Sequence, residues 1–156
     1  MAVISLKNVT LSIKDAGANS IDVKFGDGNF SWDEKRNIEY IKDRGVLDTT
    51  REGDDEPVDL RFEGQYQYYK ASTGNPTLDD AIKQQGQASG WATTGAACEP
   101  YAVDLVLLNT VNCGGVVSES LLFADFRYES VNHDVKAGKI SVTGKCNIKR
   151  PASTRS

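Results

Sequence analysis

The sequence predicts a mainly β protein, an antiparallel β-sandwich or barrel of about seven or eight strands with one flanking α-helix. Most of the chain consists of short stretches in which apolar and polar residues alternate, and turn residues separate these stretches. One stretch has the apolar spacing of an amphipathic helix. With 156 residues, 39% of them hydrophobic, the chain is long enough for a single domain, residues 1–156, with its own hydrophobic core.

Strands are predicted wherever the alternation holds over several residues. In the first strand, Val9, Leu11 and Ile13 alternate with polar residues. The remaining strands are predicted, in chain order, around Ile21–Phe25, Phe30–Trp32, Ile38–Tyr40, Val58–Tyr68, Tyr101–Leu107, Leu122–Tyr128 and Ile140–Ile148. Residues 1–8 are expected to form an N-terminal arm, and residues 150–156 a polar C-terminal tail.

The helix signal runs from Asn75 to Gly86. Asn75 is a suitable N-cap residue, and Pro76 fits the first helical position. Leu78 and Ile82 fall on one face of the helix, and Gly86 is a natural stop. We therefore predict a short helix whose apolar face packs on a sheet.

The segment between the strand at Tyr40 and the strand beginning at Val58 is long, acidic and glycine-bearing. We interpret Asp43–Glu56 as a projecting inter-strand loop, because a two-residue turn suffices to pair strands and loops of more than about ten residues are usually functional or disordered. The loop lacks catalytic residue types, so we expect it to dock onto another surface. Its candidate contact residues are Asp43, Arg44, Asp48, Arg51, Glu52, Asp54, Asp55 and Glu56.

The charge of the chain limits its partners. A net charge of -4 and a pI of about 5.0 argue against a protein that grips the nucleic-acid backbone, because such binding needs clustered Lys and Arg. No signal peptide is recognisable, since Lys7 interrupts the first apolar run, and no run approaches the ~18 to 20 apolar residues of a membrane span. We therefore expect synthesis in a cytoplasm and no membrane anchor.

Residues that commonly carry catalysis are sparse. His133 is the single histidine and precedes a turn, where a surface role is expected. The acidic run Glu52–Glu56 offers oxygen ligands without the spacing of an EF-hand, so we predict no metal site. We expect no catalytic residues, no cofactor and no enzymatic activity.

Three cysteines, Cys98, Cys113 and Cys146, lie far apart in the sequence and include no C-x-x-C pair. Two interpretations of them stay open. Either the thiols are reduced and mostly buried, or a disulfide forms between subunits after exposure to an oxidising exterior.

Two segments of the chain resemble the major tail tube proteins of tailed bacteriophages. The first is Arg36–Asp48, RNIEYIKDRGVLD, which continues into Arg51–Asp59, REGDDEPVD. The second is the closing pattern of Phe126–Glu129, FRYE, followed by Lys136–Asn147, KAGKISVTGKCN. The order of strands, long loop, single helix and final hairpin is similar to that family along nearly the whole chain.

This resemblance implies a structural virion protein. Its copies would close into homohexameric rings, and the rings would stack into a tail tube that conducts DNA into the host without binding it specifically. The loop Asp43–Glu56 would reach the adjacent ring, with the N-terminal arm and the C-terminal tail as further stacking contacts. The implied partners are the chain itself, a sheath if the tail is contractile, the tail terminator, and baseplate or distal-tail proteins. The implied location is the virion tail, after synthesis in the host cytoplasm.

Two other functions also fit the residues. A secreted tube protein of a contractile secretion system would have the same fold and would also form stacked rings. A small β-sandwich binding module would stack a sugar or a similar ligand on the aromatic residues Trp32, Trp91, Tyr66 and Tyr68. The register of Tyr66 and Tyr68 with Phe62 favours a core position for both tyrosines instead.

Overall fold

The computed structural model describes residues 9–23, 25, 28–65, 76–109 and 119–155. These ranges contain ten strands: β1 Val9–Lys14, β2 Ser20–Val23, β3 Phe30–Asp33, β4 Ile38–Asp43, β5 Val46–Glu52, β6 Val58–Gln65, β7 Val103–Asn109, β8 Glu119–Asp134, β9 Lys139–Cys146 and β10 Ala152–Arg155. They also contain the helix α1, Leu78–Lys83, and a short 3-10 turn at Gly86–Ala88. The predicted mainly β fold with one flanking α-helix is confirmed.

Eight of the strands form one antiparallel sheet with the order β2-β1-β7-β8-β9-β6-β3, and β10 pairs with β8. The long strand β8 is shared between two parts of this sheet. Its first part pairs with β7 and β10, and its second part pairs with β9. The strands β4 and β5 form a separate two-stranded sheet, which interrupts the connection between the paired strands β3 and β6.

A β-bulge marks the point where β8 passes from one part of the sheet to the other. The register with β7 shifts between Val103 and Leu105, and Asp125 on the bulged strand adopts the left-handed conformation with a φ of 55°. The N–H of Asp125 donates a 3.2 Å hydrogen bond to Asp104, and the Thr94 hydroxyl donates one of 3.0 Å to the Asp125 carboxylate. Bulges of this kind bend and twist a strand, so these contacts fix the kink in β8.

The sheet folds back on itself at this kink. The rings of Phe30 and Trp32 on β3 lie 5.4 Å and 5.1 Å from the ring of Phe123 on β8. In a flat sheet the three strand spacings between β3 and β8 would separate them by about 14 Å. The strand β3 therefore lies over β8, and the inner faces of the two sheet parts enclose the core, as in a sandwich.

Alternation along the strands supplies the core. In β6, the buried positions are Val58, Leu60, Phe62 and Gly64, and the residues between them are more exposed. The Phe62 ring packs 6.0 Å from the ring of Phe126, between ring centroids. Gly144 on β9 is required here, because a Cβ atom would lie 2.2 Å from the carbonyl oxygen of Arg127 and close to the Phe126 ring. The fully buried side chains include Phe62, Phe123, Phe126, Leu11, Ile13, Leu60 and Leu105.

The helix begins later than predicted. Its N-cap is Thr77, whose hydroxyl accepts a hydrogen bond from the N–H of Asp80, while the Asp80 carboxylate accepts one from the N–H of Thr77. This reciprocal capping box replaces the predicted Asn75-Pro76 start. The helix ends at Lys83, and Gln84 rather than Gly86 takes the left-handed C-cap conformation.

Two further sequence predictions are corrected by the strands. The segment 43–56, predicted as a loop, is mostly a β-hairpin, because Val46–Glu52 forms β5 and pairs with β4. The polar tail is also structured: Ala152–Arg155 forms β10 and pairs with β8. The predicted arm at residues 1–8 and the predictions for Tyr66, Tyr68 and Cys113 lie outside the described residues.

Asp15 ties the turn after β1 to the loop that follows the helix. Its buried carboxylate accepts hydrogen bonds from the N–H groups of Gly17, Asn19 and Ala92 and from the side-chain amide of Asn19, at 2.9 to 3.1 Å. Burial alone would raise the pKa of Asp15, but these hydrogen bonds outweigh burial and hold the pKa below its ordinary value of 3.8.

We predict that Asp15→Ala lowers the free energy of unfolding by about 2–3 kcal/mol, because several donors lose their acceptor. Since the folded pKa is below the unfolded one, the stabilisation by Asp15 is fully present above pH 3.8 and disappears as the pH falls through the folded pKa. Urea unfolding at pH 7 and at pH 3 measures both effects. Asp22→Ala, which removes an exposed carboxylate, is the control and should change stability little at either pH. If Asp15→Ala lowered the free energy of unfolding equally at the two pH values, the lowered pKa of Asp15 would be contradicted.

The pKa of the Asp104 carboxylate, next to the bulge, is shifted in the direction opposite to that of Asp15. Burial raises its pKa, and the neighbouring Asp125 carboxylate raises it further, against the hydrogen bond from the N–H of Asp125. Ionised Asp104 therefore costs stability above its folded pKa, and this cost disappears as the pH falls. Asp104→Asn keeps an acceptor for the N–H of Asp125. We predict that this substitution raises the midpoint of urea unfolding at pH 7 and that the increase becomes smaller toward pH 4. A variant less stable than the wild type at pH 7 would contradict this prediction.

Candidate functional site: the β4–β5 hairpin

A tight turn joins β4 to β5. Arg44 and Gly45 occupy its two central positions with φ values of 53° and 83°, both left-handed, and Asp43 pairs with Val46 across it. Two consecutive left-handed residues are typical of the type I′ turn, whose twist matches that of a two-stranded hairpin. Gly45 adopts this conformation at little cost. The predicted loop is thus an extended hairpin with a defined tip.

Asp48 forms a bulge near this tip. Ile41 pairs with Thr49, whereas Lys42 pairs with Leu47, so that Asp48 is the extra residue on β5. An extra residue increases the local twist and leaves one position unpaired. The bulge therefore turns the tip relative to the root of the hairpin.

The hairpin is exposed along its length. All residues of β4 and β5 are exposed except Ile38, which is half-buried. Four large apolar side chains are among them: Tyr40 is 63% exposed, Ile41 39%, Val46 68% and Leu47 68%. An isolated two-stranded hairpin is at best marginally stable in water, and exposed apolar patches commonly mark interaction sites. These properties make the hairpin the candidate interaction surface.

Backbone and charge contacts hold the root of the hairpin. The N–H of Gly53 donates a 2.8 Å hydrogen bond to the carbonyl of Asn37. The Arg51 guanidinium pairs with Glu39, and Arg36 lies 3.3 Å from Glu52. All four charged side chains are exposed, so that solvent and salt screen these pairs and they orient the hairpin only weakly.

A cleft of about 480 Å³ opens beside the root. It lies between residues 34–37, residues 52–56 and the Lys149-Arg150 pair, and it therefore has side chains of both charge signs. Lys149 bridges one side of the cleft through a 2.9 Å ion pair with Asp55. The hydrogen bond to Asp55 raises the pKa of Lys149. This arrangement is suited to pairing with charged groups of a protein rather than to holding a single anion or cation.

Next to the cleft, the outer face of β3, β6 and β9 carries a network of ion pairs. Asp59 on β6 lies 2.6 Å from Lys35 and 3.8 Å from Lys145. The hydrogen bond from Lys35 lowers the pKa of Asp59 despite the partial burial of this carboxylate. Further pairs on the same face are Arg61–Asp33 and Lys139–Glu63. This face is charge-dense, and each of these charged side chains lies in an ion pair.

The hairpin separates the predicted contact residues into two groups. Asp43, Arg44 and Asp48 lie at the tip, and Arg51 lies on the paired strand toward the root. The remaining residues, Glu52, Asp54, Asp55 and Glu56, line the cleft at the root. The seven residues of β5 span about 20 Å, so tip and root form distinct contact regions.

Sequence reasoning missed the apolar part of the surface. Tyr40 and Ile41 precede the turn and Val46 and Leu47 follow it, and none of the four was proposed as a contact residue. The signal was available, because apolar pairs on both sides of Arg44-Gly45 are typical of a hairpin with a tight turn.

Other candidate groups are structural where they are described. Trp91 is buried, and Trp32 packs on Phe123 while its indole N–H donates to Glu34. Burial raises the pKa of Cys146 to about 12, with nearby carboxylates adding to the shift, so this thiol is unreactive. Cys98 is a free, exposed thiol. Within the part of the chain that the structure describes, no cluster of three metal-ligating side chains occurs, and no helix is long and apolar enough to cross a membrane.

No protein-family model matches the chain, and no curated protein matches it either. It is similar in structure to a chain in the cryo-EM structure of the PVC sheath/tube terminator of an extracellular contractile injection system, in the extended state. That likeness covers 99% of this chain and 98% of the other, with a TM-score of 0.59 and 11% sequence identity. A chain in the PVC sheath-tube complex in the extended state is also similar, over 99% of this chain and 93% of the other, with a TM-score of 0.52 and 12% identity. These likenesses show a fold shared along the full length of the chain.

We predict that Gly45→Val loosens the hairpin and leaves the main sheet unchanged. A β-branched residue is strained at a φ of 83°, whereas no atom lies near enough to obstruct its side chain. Hydrogen exchange should therefore accelerate at the amides of β4 and β5 but not at those of β6 and β9. Gly138→Val, in the left-handed turn between β8 and β9, is the matched control and should accelerate exchange near that turn instead. Unchanged exchange in the β4–β5 hairpin of Gly45→Val would contradict the turn assignment.

Proposed function

We propose that the chain is the tube subunit of a phage-tail-like particle. Its copies close into homohexameric rings, and the rings stack into a tube through the β4–β5 hairpin and the segment 53–56. The observation that supports this proposal most strongly is the exposed, apolar hairpin on a fold that is similar, over 99% of the chain, to chains of a sheath/tube terminator and a sheath-tube complex.

The physical basis of stacking differs between the tip and the root. Tyr40, Ile41, Val46 and Leu47 supply apolar area, whose removal from water stabilises an interface by about 25 cal/mol per Å². The charged residues at the root set the register between rings, because charge complementarity selects orientation more than it adds affinity. Such a contact is heterologous, since a projecting hairpin must meet a different surface of the next subunit, and heterologous contacts generate rings and open helical stacks.

The proposed particle has further components. The partners of such a tube subunit would be a terminator, a baseplate or distal-tail protein and, if the tail is contractile, a sheath. In a virion the tube would conduct DNA from the particle into the host, and the acidic character of the chain suits a lumen that DNA crosses without binding.

A second candidate is the tube protein of a contractile injection system that is not a virus. It is favoured by a specific observation: the two similar structures described above come from an extracellular contractile injection system. In that case the same rings and the same hairpin would form the tube of the injection system.

The binding-module alternative has less support. Of its four aromatic residues, Trp91 is buried at 6% exposure and the ring of Trp32 packs against Phe30 and Phe123. Trp91 is therefore not available for stacking a sugar, and Trp32 is half-buried against two core rings. Tyr66 and Tyr68 lie outside the described residues.

We predict that Asp54→Ala with Asp55→Ala impairs tube formation while the monomer still folds. Both carboxylates lie at the root of the hairpin, outside the core, so their loss removes register contacts without removing core packing. The protein concentration above which assemblies sediment should rise about tenfold, which corresponds to about 1.4 kcal/mol per subunit. Arg51→Ala should act in the same direction.

Lys136→Ala, in the exposed turn between β8 and β9, is the control and should assemble like the wild type. Sedimentation at increasing protein concentration, with the far-UV circular dichroism of the soluble fraction, provides the measurement. If the doubly substituted protein sedimented at the same concentration as the wild type, a role of the root in stacking would be contradicted.

A further inference from the structure

The hairpin presents apolar side chains on both of its faces. Residues directly opposite each other in an antiparallel pair project to the same side. The pairings therefore place Tyr40 and Leu47 on one face and Ile41 and Val46 on the other. A hairpin that lay on a single surface would leave one of these apolar pairs in water. The distribution fits a hairpin that is covered on both sides.

The charged residues of the hairpin lie near its root and near its tip. Near the root, Arg51 and Glu39 neutralise each other, and near the tip the charged residues are Lys42, Asp43, Arg44 and Asp48. Between them, Thr49 and Thr50 lie opposite Ile41 and Tyr40. The middle of each face is thus one uncharged residue pair, whose burial removes no ion from water. Leu47 and Val46, nearer the tip, lie opposite Lys42 and Asp43.

The two outer faces of the main sheet differ in how well they would cover such a hairpin. The face of β3, β6 and β9 carries the ion-pair network around Asp59, and its burial would carry the desolvation cost of several charges. The outer face of β1, β7, β8 and β10 is different. Two adjacent rows of uncharged residues form its uncharged outer face: Thr10, Leu108, Ser120 and Thr154 in one row, and Ser12, Val106, Leu122 and Ala152 in the other. Asp22 on β2 continues the second row, and Lys14 and Asp104 form the row beyond it.

This uncharged outer face is also apolar where it is open. Leu108 is 38% exposed, and Val106 and Leu122 are half-buried, although all three point away from the core. Among the described surfaces of the main sheet, it is the one whose chemistry matches the middle of the hairpin. Every copy of the chain carries both the hairpin and this outer face. A second copy therefore provides the matching surface for each of them.

We propose that in the assembled particle each hairpin is inserted between other copies of this chain with both faces buried, and that one covering surface is the uncharged outer face of β1, β7, β8 and β10. This inference rests on the proposed function and specifies how the stacking contact is built. Each hairpin then contacts other subunits through both of its faces, rather than lying with one face on a single subunit.

The test compares substitutions on the two hairpin faces. Tyr40→Ser with Leu47→Ser removes the apolar pair of one face, and Ile41→Ser with Val46→Ser removes that of the other. Each double variant should raise the critical concentration for assembly about tenfold or more. Leu108→Lys should do the same, because it places a charge on the covering face. Thr143→Lys on β9 adds an identical charge to the other outer face and is expected to assemble like the wild type.

Thermal unfolding of the unassembled variants separates folding from assembly, since all these positions lie outside the core. If the wild type forms neither rings nor tubes at any concentration, the proposed function itself fails. If the wild type assembles and one face variant assembles equally well, the two-sided insertion is wrong while the proposed function stands. Wild-type assembly of Leu108→Lys, or an equal loss in Thr143→Lys, would overturn the choice of covering face.

Discussion

The kink in β8 is the constraint on which the rest of the structure depends. One strand pairs with β7 and β10 along its first part and with β9 along its second, and it must bend between them. The left-handed Asp125, held by Asp104 and Thr94, provides this bend. Phe123 and Phe126 flank this bend, and their rings pack on Phe30 of β3 and Phe62 of β6, which brings the two parts of the sheet together over a common core.

Folding the sheet in this way produces two outer faces of different chemistry. One face holds its charges in exposed ion pairs and is suited to permanent contact with water. The other has a central uncharged area and is suited to burial against protein. The hairpin leaves the sheet between β3 and β6, at the border of the charged face, and carries its apolar side chains away from the core of its own subunit. The fold alone therefore separates a charged outer face from one with an uncharged area.

The sequence predicted those parts of the fold in which one face of a strand is buried. β1, β6, β7 and β9 alternate because the core lies on one side of each. The hairpin strand Val46–Glu52 was mistaken for a loop because neither of its faces packs on the core, so it has no such period. The short polar strand Ala152–Arg155 is specified by its pairing with β8, which sequence periodicity does not report. The helix start was misplaced because Asn75-Pro76 was preferred over the reciprocal Thr77 and Asp80 box. Of the candidate site, the sequence found the charged residues and missed the apolar ones.

The measurement that tests the account most directly is an electron cryomicroscopy reconstruction of the purified wild-type protein at high concentration. The account predicts closed rings around a hollow centre, stacked along one axis, with an ordered β4–β5 hairpin lying between subunits of successive rings. A particle that stays monomeric at every concentration, or rings in which the hairpin projects freely into solvent, would contradict it.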